Sequence, residues 1–235
     1  MTAIPLSIRH TAASPTMGLR GVLLALTAAT GLVDAACYLG MGHVLVANMT
    51  GNVVFLGFAL AGAPGFSIAA FLVALGSFLA GAAADGRLSV ALSHRRRRWL
   101  TTAAATQMAL ASAAAIAAAA GALGPSGQAR FGLIALLGVG MGIQTATARK
   151  IAIADLTTTV LTQTLTGLAA DSSIAGGNNP RMARRVTAVA AMLAGALTGG
   201  ALMVHAGFTS TLAVTAGLFA AITIGFACLT EEAAL

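Results

Sequence analysis

The residues of this chain that could do chemistry are a few polar side chains set between long apolar runs. Asp34 lies inside one such run, and Asn48, Thr50, Gly51 and Asn52 follow it within the stretch VANMTGN. A carboxylate at membrane depth costs about 3 kcal/mol or more, so an intramembrane acid is a functional candidate by default. Asp34 is therefore either a proton or cation site, or a hydrogen-bonded group that fixes the packing of helices.

The polar stretch from Asn48 to Asn52 opens a short apolar segment. The first turn of a helix leaves backbone N–H groups without partners, and Asn and Thr side chains are suited to cap them. The same helix terminus carries a partial positive charge that favours an anion. Non-helical backbone within a bilayer is tolerated only where it is buried in protein or lines a water-filled cavity. We expect these residues to cap the helix. A further hypothesis is that the same cap faces a solute pathway.

A second polar group opens another short apolar segment, in the second half of the chain. Spacings of three and four residues place several of its side chains on one helical face. They either line a solute pathway or bond back to the preceding turn. Gln144, near the position that matches Cys37, is expected to line the same cavity. The binding candidates of this half are Gln144, Asp155, Thr157, Thr158, Thr159, Thr162 and Gln163.

No catalytic or metal-binding pattern is present in the sequence. It contains no glycine-rich phosphate loop, no HExxH motif, no clustered Cys and His ligands, and no recognisable Ser–His pair. We therefore expect no enzyme activity, no cofactor and no metal. The net charge of +7 comes from basic clusters between apolar runs, without the interleaved aromatic residues of a nucleic-acid surface, so no nucleic-acid partner is expected.

Composition assigns the chain to a membrane. Of its 235 residues, 58% are hydrophobic and 8% are charged, and the mean hydropathy is +0.91. Soluble domains carry about 25% charged residues, so the lipid bilayer must be the solvent and main partner of this chain. A β-barrel would show short alternating strands instead of long Ala, Leu and Gly runs. The sequence predicts an all-α integral membrane protein with a single domain at 17–229, between polar tails at 1–16 and 230–235.

Six apolar segments are long enough to span a bilayer, at about 18–41, 66–86, 99–121, 131–149, 185–205 and 208–229. Two more are short, at about 51–62 and 157–170. A twelve-residue helix is about 18 Å long, whereas the hydrocarbon core is about 30 Å thick. The two short segments are therefore predicted to be re-entrant half-helices.

The basic residues favour the same topology. If all eight segments crossed, the run Arg95–Arg98 would lie outside, against the strongest charge bias in the chain. If the short segments turn back, Arg95–Arg98, Arg149–Lys150 and Arg181–Arg185 all lie in the cytoplasm. This model places both chain termini on the cytoplasmic side of the inner cell membrane.

An internal repeat accompanies the charge pattern. VANMTGNVV (46–54) aligns with IADLTTTVL (153–161), and each follows a long segment and begins a short one. Each copy then has three spans, and an odd number of spans forces the two copies into opposite orientations. The sequence predicts inverted repeats at about 17–122 and 130–229.

The same residues carry a resemblance to a known family. GLVDAACYLGMGHVLVANMTGNVVFLG (31–57) resembles the signature of the YoaK-like family of bacterial membrane proteins, and ADLTTTVLTQTLTGLAAD (154–171) resembles its second half. The resemblance covers about residues 17–229. It implies a multi-pass membrane protein of a family without an established substrate, and therefore no mechanism. Thr158 stands where the first copy has Gly51, so the two turns need not share one geometry.

These sequence features are compatible with three functions. The first is a transporter or channel for a small solute or ion, with its polar site where the two half-helix N-termini meet and with proton coupling through Asp34. The alternative is a non-transporting scaffold or sensor subunit. The third, an intramembrane enzyme, would have only Asp34 and Asp155 as an acidic pair. Gly195 and Gly199 form a GxxxG pattern, which permits tight helix contact within the chain or in a homodimer.

Overall fold

The computed structural model of the chain describes residues 17–151 and 161–228, which form α-helices joined by short loops and contain no strand. Six helices are long: α1 (Met17–Gly40), α3 (Ile68–Ala91), α4 (Arg96–Ala119), α5 (Ala129–Ile151), α7 (Met182–His205) and α8 (Gly207–Cys228). Two are short: α2 (Met49–Leu60) and α6 (Leu161–Ala170). A 3₁₀ turn, Ser173–Ala175, precedes α7.

The six long helices confirm the predicted spans. Each has 22–24 residues and is apolar enough to cross a membrane, since 22 residues of helix are about 33 Å long. The ends differ by a few residues from the prediction. Helix α3 continues beyond residue 86 to Ala91, because Gly86 is tolerated inside a helix and Arg87 can extend its long side chain toward the interface. The predicted tails at 1–16 and 230–235 lie outside the described residues.

Helices α1 and α5 form the centre of the bundle. In each of them 61% of the most apolar stretch is buried, against 17–33% in the other four long helices. The exposed side chains of those four are largely apolar, for example Leu79, Leu197 and Ile224. An apolar outer surface of this extent is stable in contact with lipid, which confirms a multi-pass protein embedded in a bilayer.

Helix α1 packs along α7 in the same direction. Ala28 lies against Gly195, and further along both helices Gly40 lies against Met203. Residue numbers therefore rise together in the two helices, which makes the pair parallel. Glycine at position 195 allows the two backbones to approach closely, so the predicted GxxxG contact lies within the chain.

Helix α3 packs along α5 in the same way. Ala74 lies against Gly138, and nearer the other end Ser89 accepts a hydrogen bond from Lys150 at 2.7 Å. Here too the residue numbers rise together, so this pair is also parallel. The two parallel pairs, α1 with α7 and α3 with α5, are the most extensive helix contacts among the described residues.

Helix α8 runs opposite to α1. Val22, near the start of α1, lies beside Gly225 near the end of α8, while Gly40 lies beside Phe208. Helices α1 and α8 are therefore antiparallel. Since one residue separates α7 from α8, these two helices also form an antiparallel hairpin.

Helix α4 in turn runs opposite to α8. Arg97, at its start, donates a hydrogen bond to the carbonyl of Ala227 at the end of α8, and further along Ala111 and Phe219 line one cavity. Helices α1, α4 and α7 therefore share one direction. Helices α3, α5 and α8 have the opposite one, because α3 and α4 form an antiparallel hairpin through a short loop.

Candidate functional site

Asp34 is the centre of a buried hydrogen-bonded site between α1 and the loop that precedes α2. Its Oδ1 accepts the backbone N–H groups of Val46 and Ala47, each at 2.9 Å, and its Oδ2 accepts the side-chain amide of Asn48. The residue is 4% exposed. Three donors converging on one carboxylate are what an ionised group needs in order to be stable away from water.

Asn52 holds the same loop from the side of α2. Its Oδ1 accepts the N–H of Leu45 at 2.9 Å, and its amide group donates to the carbonyl oxygen of Leu45. The side chain is fully buried. Asp34 and Asn52 thus satisfy the polar backbone atoms of a short non-helical stretch, as a stretch buried in protein at membrane depth requires.

The prediction that these polar residues cap α2 is wrong for Asn48. It occupies the N-cap position, but its side-chain oxygen accepts no hydrogen bond from the first turn of α2. A cap depends on that oxygen as an acceptor, whereas the side chain of Asn48 is held by donation from its NH₂ group to the Asp34 carboxylate. Thr50 is exposed, and Gly51 lies against the side chain of Leu45. Of the first polar stretch, the structure brings together Asp34, Asn48 and Asn52.

An aromatic cluster surrounds the loop and the far side of α2. Its ring centroids lie 5.0–6.2 Å apart, within the range of favourable aromatic pairs. The cluster joins the end of α1, helix α2 and the start of α3, so it fixes the position of α2 in the fold. Its members are Tyr38, His43, Phe55, Phe58, Phe66 and Phe71.

A second buried polar group lies halfway along α1, α4 and α5. Gln144 donates to the hydroxyl of Thr30 at 2.8 Å and to the carbonyl of Leu26 at 3.2 Å, and the Thr30 hydroxyl donates to the same carbonyl. Because these two contacts use the amide nitrogen of Gln144, its oxygen is left to accept from Gln107 at 2.5 Å. We call Thr30, Gln107 and Gln144 the central amide chain.

The central amide chain borders a small cavity. Gln107, Gln144 and Thr147 contribute polar atoms to its lining, and its free volume of about 10 Å³ is enough for about one water molecule. Thr147, which lines the same cavity, is also buried. The cavity therefore offers hydrogen-bonding groups without a formal charge.

Two members of this chain, Thr30 and Gln107, were missed by the sequence analysis. Gln107 was detectable in principle, since it is an amide in the middle of the alanine-rich segment predicted at 99–121. Thr30 carried no local signal, because the hydroxyl of a threonine can donate to a carbonyl of its own helix.

Another buried polar contact lies near one end of the bundle, where Asp85 accepts a hydrogen bond from the indole N–H of Trp99 at 2.8 Å.

The link between the two glutamines supports a quantitative prediction. Gln107→Leu or Gln144→Leu alone leaves a buried amide group unpaired, and each is expected to destabilise the protein by about 1–2 kcal/mol. The double variant removes both groups, so its loss should be about 1 kcal/mol smaller than the sum of the single losses. Thermal unfolding in detergent measures the cycle, with exposed Gln163→Leu as the control. Strict additivity would show that the two amides do not interact.

The second set of candidates is only partly described. Asp155, Thr157, Thr158 and Thr159 lie outside the described residues. Thr162 and Gln163 lie on α6 and are exposed, so the structure does not bring them to the central amide chain. The bond from Thr166 to the carbonyl of Thr162, at 2.9 Å, fits the interpretation in which hydroxyls satisfy their own helix.

An ion pair attaches the end of α6 to α7. Arg185 of α7 forms an ion pair with Asp171 at 2.7 Å and donates to the carbonyl of Gly167 at 2.5 Å. This ion pair joins the end of α6 to the first turns of α7. Within 17–151 and 161–228, no three His, Cys, Asp or Glu side chains are grouped so that they could hold a metal ion.

Comparisons with known proteins agree with this architecture. The model of the family described as "Protein of unknown function (DUF1275)" matches residues 22–225. The UPF0700 transmembrane protein YoaK of Bacillus subtilis (strain 168) is 38% identical over 152 residues, which are 64% of this chain and 65% of that protein. The aligned chain thus spans slightly under two thirds of its relative, and no solved structure matches. The chain belongs to the DUF1275 family, as its resemblance to YoaK-like membrane proteins implied.

Proposed function

We propose that this protein carries a small solute across the membrane, through a bundle of two inverted repeats with a half-helix in each. The observation that carries the proposal is the opposite direction of α1 and α3, with the buried loop before α2 hydrogen-bonded to Asp34 of α1. The proposal involves no catalytic step. It places both termini in the cytoplasm, in the inner cell membrane, and retains the homodimer as a prediction.

The directions of the helices support a re-entrant α2. Since α1 and α3 are antiparallel, α1 ends and α3 begins at the same face of the bundle, so the chain between them leaves and returns on one side. Asp34 lies six residues before the end of α1, which is about 9 Å along its axis. The start of α2 is held at that depth, and its twelve residues extend only about 18 Å.

The pattern of helix contacts supports the repeat. Exchanging the first four helices with the last four turns the α1–α7 contact into α5–α3, and both pairs are parallel. The same exchange turns α2 on α3 into α6 on α7, and it leaves the α4–α8 contact unchanged. Because α1 and α5 run in opposite directions, two copies related in this way are inverted, as in many transporters.

The groups near the midplane favour a neutral solute that forms hydrogen bonds. The central amide chain presents amides and hydroxyls, which can replace the water around a polar molecule but cannot compensate a full charge. Proton coupling through Asp34 would act on the loop. Adding a proton removes the charge that holds the N–H groups of Val46 and Ala47, and this would weaken the attachment of the loop to α1.

A non-transporting scaffold or sensor is the second candidate, and one observation favours it. The cavities beside Gln107 each have room for about one water molecule, and Asp34 is already occupied by three donors. A transporter must open this arrangement during its cycle, whereas a scaffold has no need to.

Uptake by proteoliposomes tests the proposal. A panel of small neutral solutes, with ions as a comparison, is supplied to vesicles containing the wild type, Asp34→Asn or Glu231→Gln. We expect uptake above that of empty vesicles for the wild type and for Glu231→Gln, which removes the same charge in the predicted C-terminal tail. Asp34→Asn should fold and lose any pH dependence of the uptake. If no solute enters faster than it enters empty vesicles, the scaffold is the better account.

A further inference from the structure

We propose that a cleft at the start of α4 binds the phosphate headgroup of an anionic phospholipid. The cleft has a volume of about 530 Å³ and is lined by Arg95, Arg97, Arg98, Thr101 and Ala227. It lies between the N-terminal end of α4 and the C-terminal end of α8, at the face of the bundle that carries most of the basic residues. This site does not depend on the proposed transport function.

The arginines are arranged for an anion. Arg97 donates to the carbonyl of Ala227 at 2.5 Å, which fixes one wall of the cleft to the end of α8. Arg95 and Arg98 are exposed, and neither side chain makes a hydrogen bond or ion pair with the part of the chain that the structure describes. The planar guanidinium group matches phosphate oxygens with two parallel N–H bonds, so two free guanidinium groups around one cleft suit one phosphate.

The backbone of α4 adds to this preference. The helix has 24 residues, no acidic residue in its first turn and no side-chain cap at Arg95. Its first N–H groups therefore remain available at an end with partial positive charge. The Thr101 hydroxyl does not occupy these N–H groups, because it donates to the carbonyl oxygens of Arg97 and Arg98.

The surroundings favour a lipid over a soluble anion. Ile224 lies one helical turn before Ala227 on α8 and is 63% exposed, so apolar surface lies next to the basic cleft. Both helices are long and apolar enough to cross the membrane. A ligand with a phosphate group and acyl chains would contact the arginines and this apolar surface together, whereas inorganic phosphate would contact only the arginines.

The test compares charge removal inside and outside the cleft. Wild type, Arg95→Gln/Arg98→Gln and the control Arg87→Gln/Arg149→Gln are purified, and binding of phosphatidylglycerol is measured against phosphatidylcholine by native mass spectrometry and by thermal shift in mixed nanodiscs. The control removes two exposed charges at the same face but outside the cleft. Each arginine near anionic lipid contributes about fivefold to binding, so the cleft variant should bind about 25-fold more weakly.

Each outcome decides the proposal. A loss confined to the cleft variant, with binding unaffected by millimolar inorganic phosphate, supports a lipid site. Equal losses in both variants would overturn it, since only the general surface charge would then attract lipid. Full competition by inorganic phosphate would also overturn it and would leave a site for soluble phosphate.

Discussion

Replacing Asp34 by leucine is expected to destabilise the protein by about 3 kcal/mol or more, because the variant leaves three buried donors unpaired. Leucine has the same branched arrangement of four side-chain heavy atoms, but its methyl groups are larger than the carboxylate oxygens, so some overpacking adds to the loss of the hydrogen bonds. At this depth no water replaces the carboxylate as the hydrogen-bond acceptor for the N–H groups of Val46 and Ala47. The expected readout is a lower apparent melting temperature in detergent, with faster proteolysis at the loop before α2.

Asp34→Asn separates the charge from the shape. Its oxygen can still accept from Val46 and Ala47, while Asn48 must turn its amide to pair with the new NH₂ group. We expect Asp34→Asn to lose less than half as much stability as Asp34→Leu. If leucine is tolerated at this position without a change in melting temperature, Asp34 does not hold the loop to α1.

The second large effect is expected at the parallel helix contacts. A Cβ atom at Gly195 would lie 1.9 Å from the carbonyl oxygen of Ala28, and one at Gly81 would lie 2.1 Å from that of Val139. Both neighbours are backbone atoms, which cannot move aside without separating the helices. Gly195→Ala and Gly81→Ala should each destabilise the protein by about 3 kcal/mol, at the upper end of the usual overpacking cost.

Neighbouring glycines provide matched controls. A Cβ atom at Gly200 or Gly76 would meet nothing within 4 Å. Alanine favours a helix over glycine by up to about 1 kcal/mol, so Gly200→Ala and Gly76→Ala should be neutral or slightly stabilising. Measured melting temperatures that fall equally for all four variants would contradict the close α1–α7 and α3–α5 contacts.

The spans were predictable from the sequence because their signal is local. Apolar length identifies each long helix by itself, and the short length of the segment at 51–62 identified α2 in the same way. The limits of the helices were less predictable, since arginines such as Arg96 extend a helix into the interface instead of ending it.

The partners of polar side chains were not predictable in the same way. Asn48 has the residue type of a helix cap, but the nearby charge of Asp34 attracts its amide, and this competition depends on how the loop returns to α1. Gln107 and Gln144 are 37 residues apart, so their contact depends on the packing of α4 against α5. For the same reason, the positions of the glycines in the sequence did not predict that Gly195 packs against another helix whereas Gly200 does not.

The proposal that α2 turns back inside the membrane is tested most directly by the sidedness of three single cysteines. Cys37 and Cys228 are replaced by alanine, and cysteine is introduced at His43 before α2, at Ala61 after α2, or at Ser93 after α3. A membrane-impermeant maleimide is then added to intact cells or to inverted vesicles. A re-entrant α2 places His43 and Ala61 on one side and Ser93 on the other. Labelling of His43 and Ala61 from opposite sides would show that α2 crosses, and the inverted repeats would be contradicted.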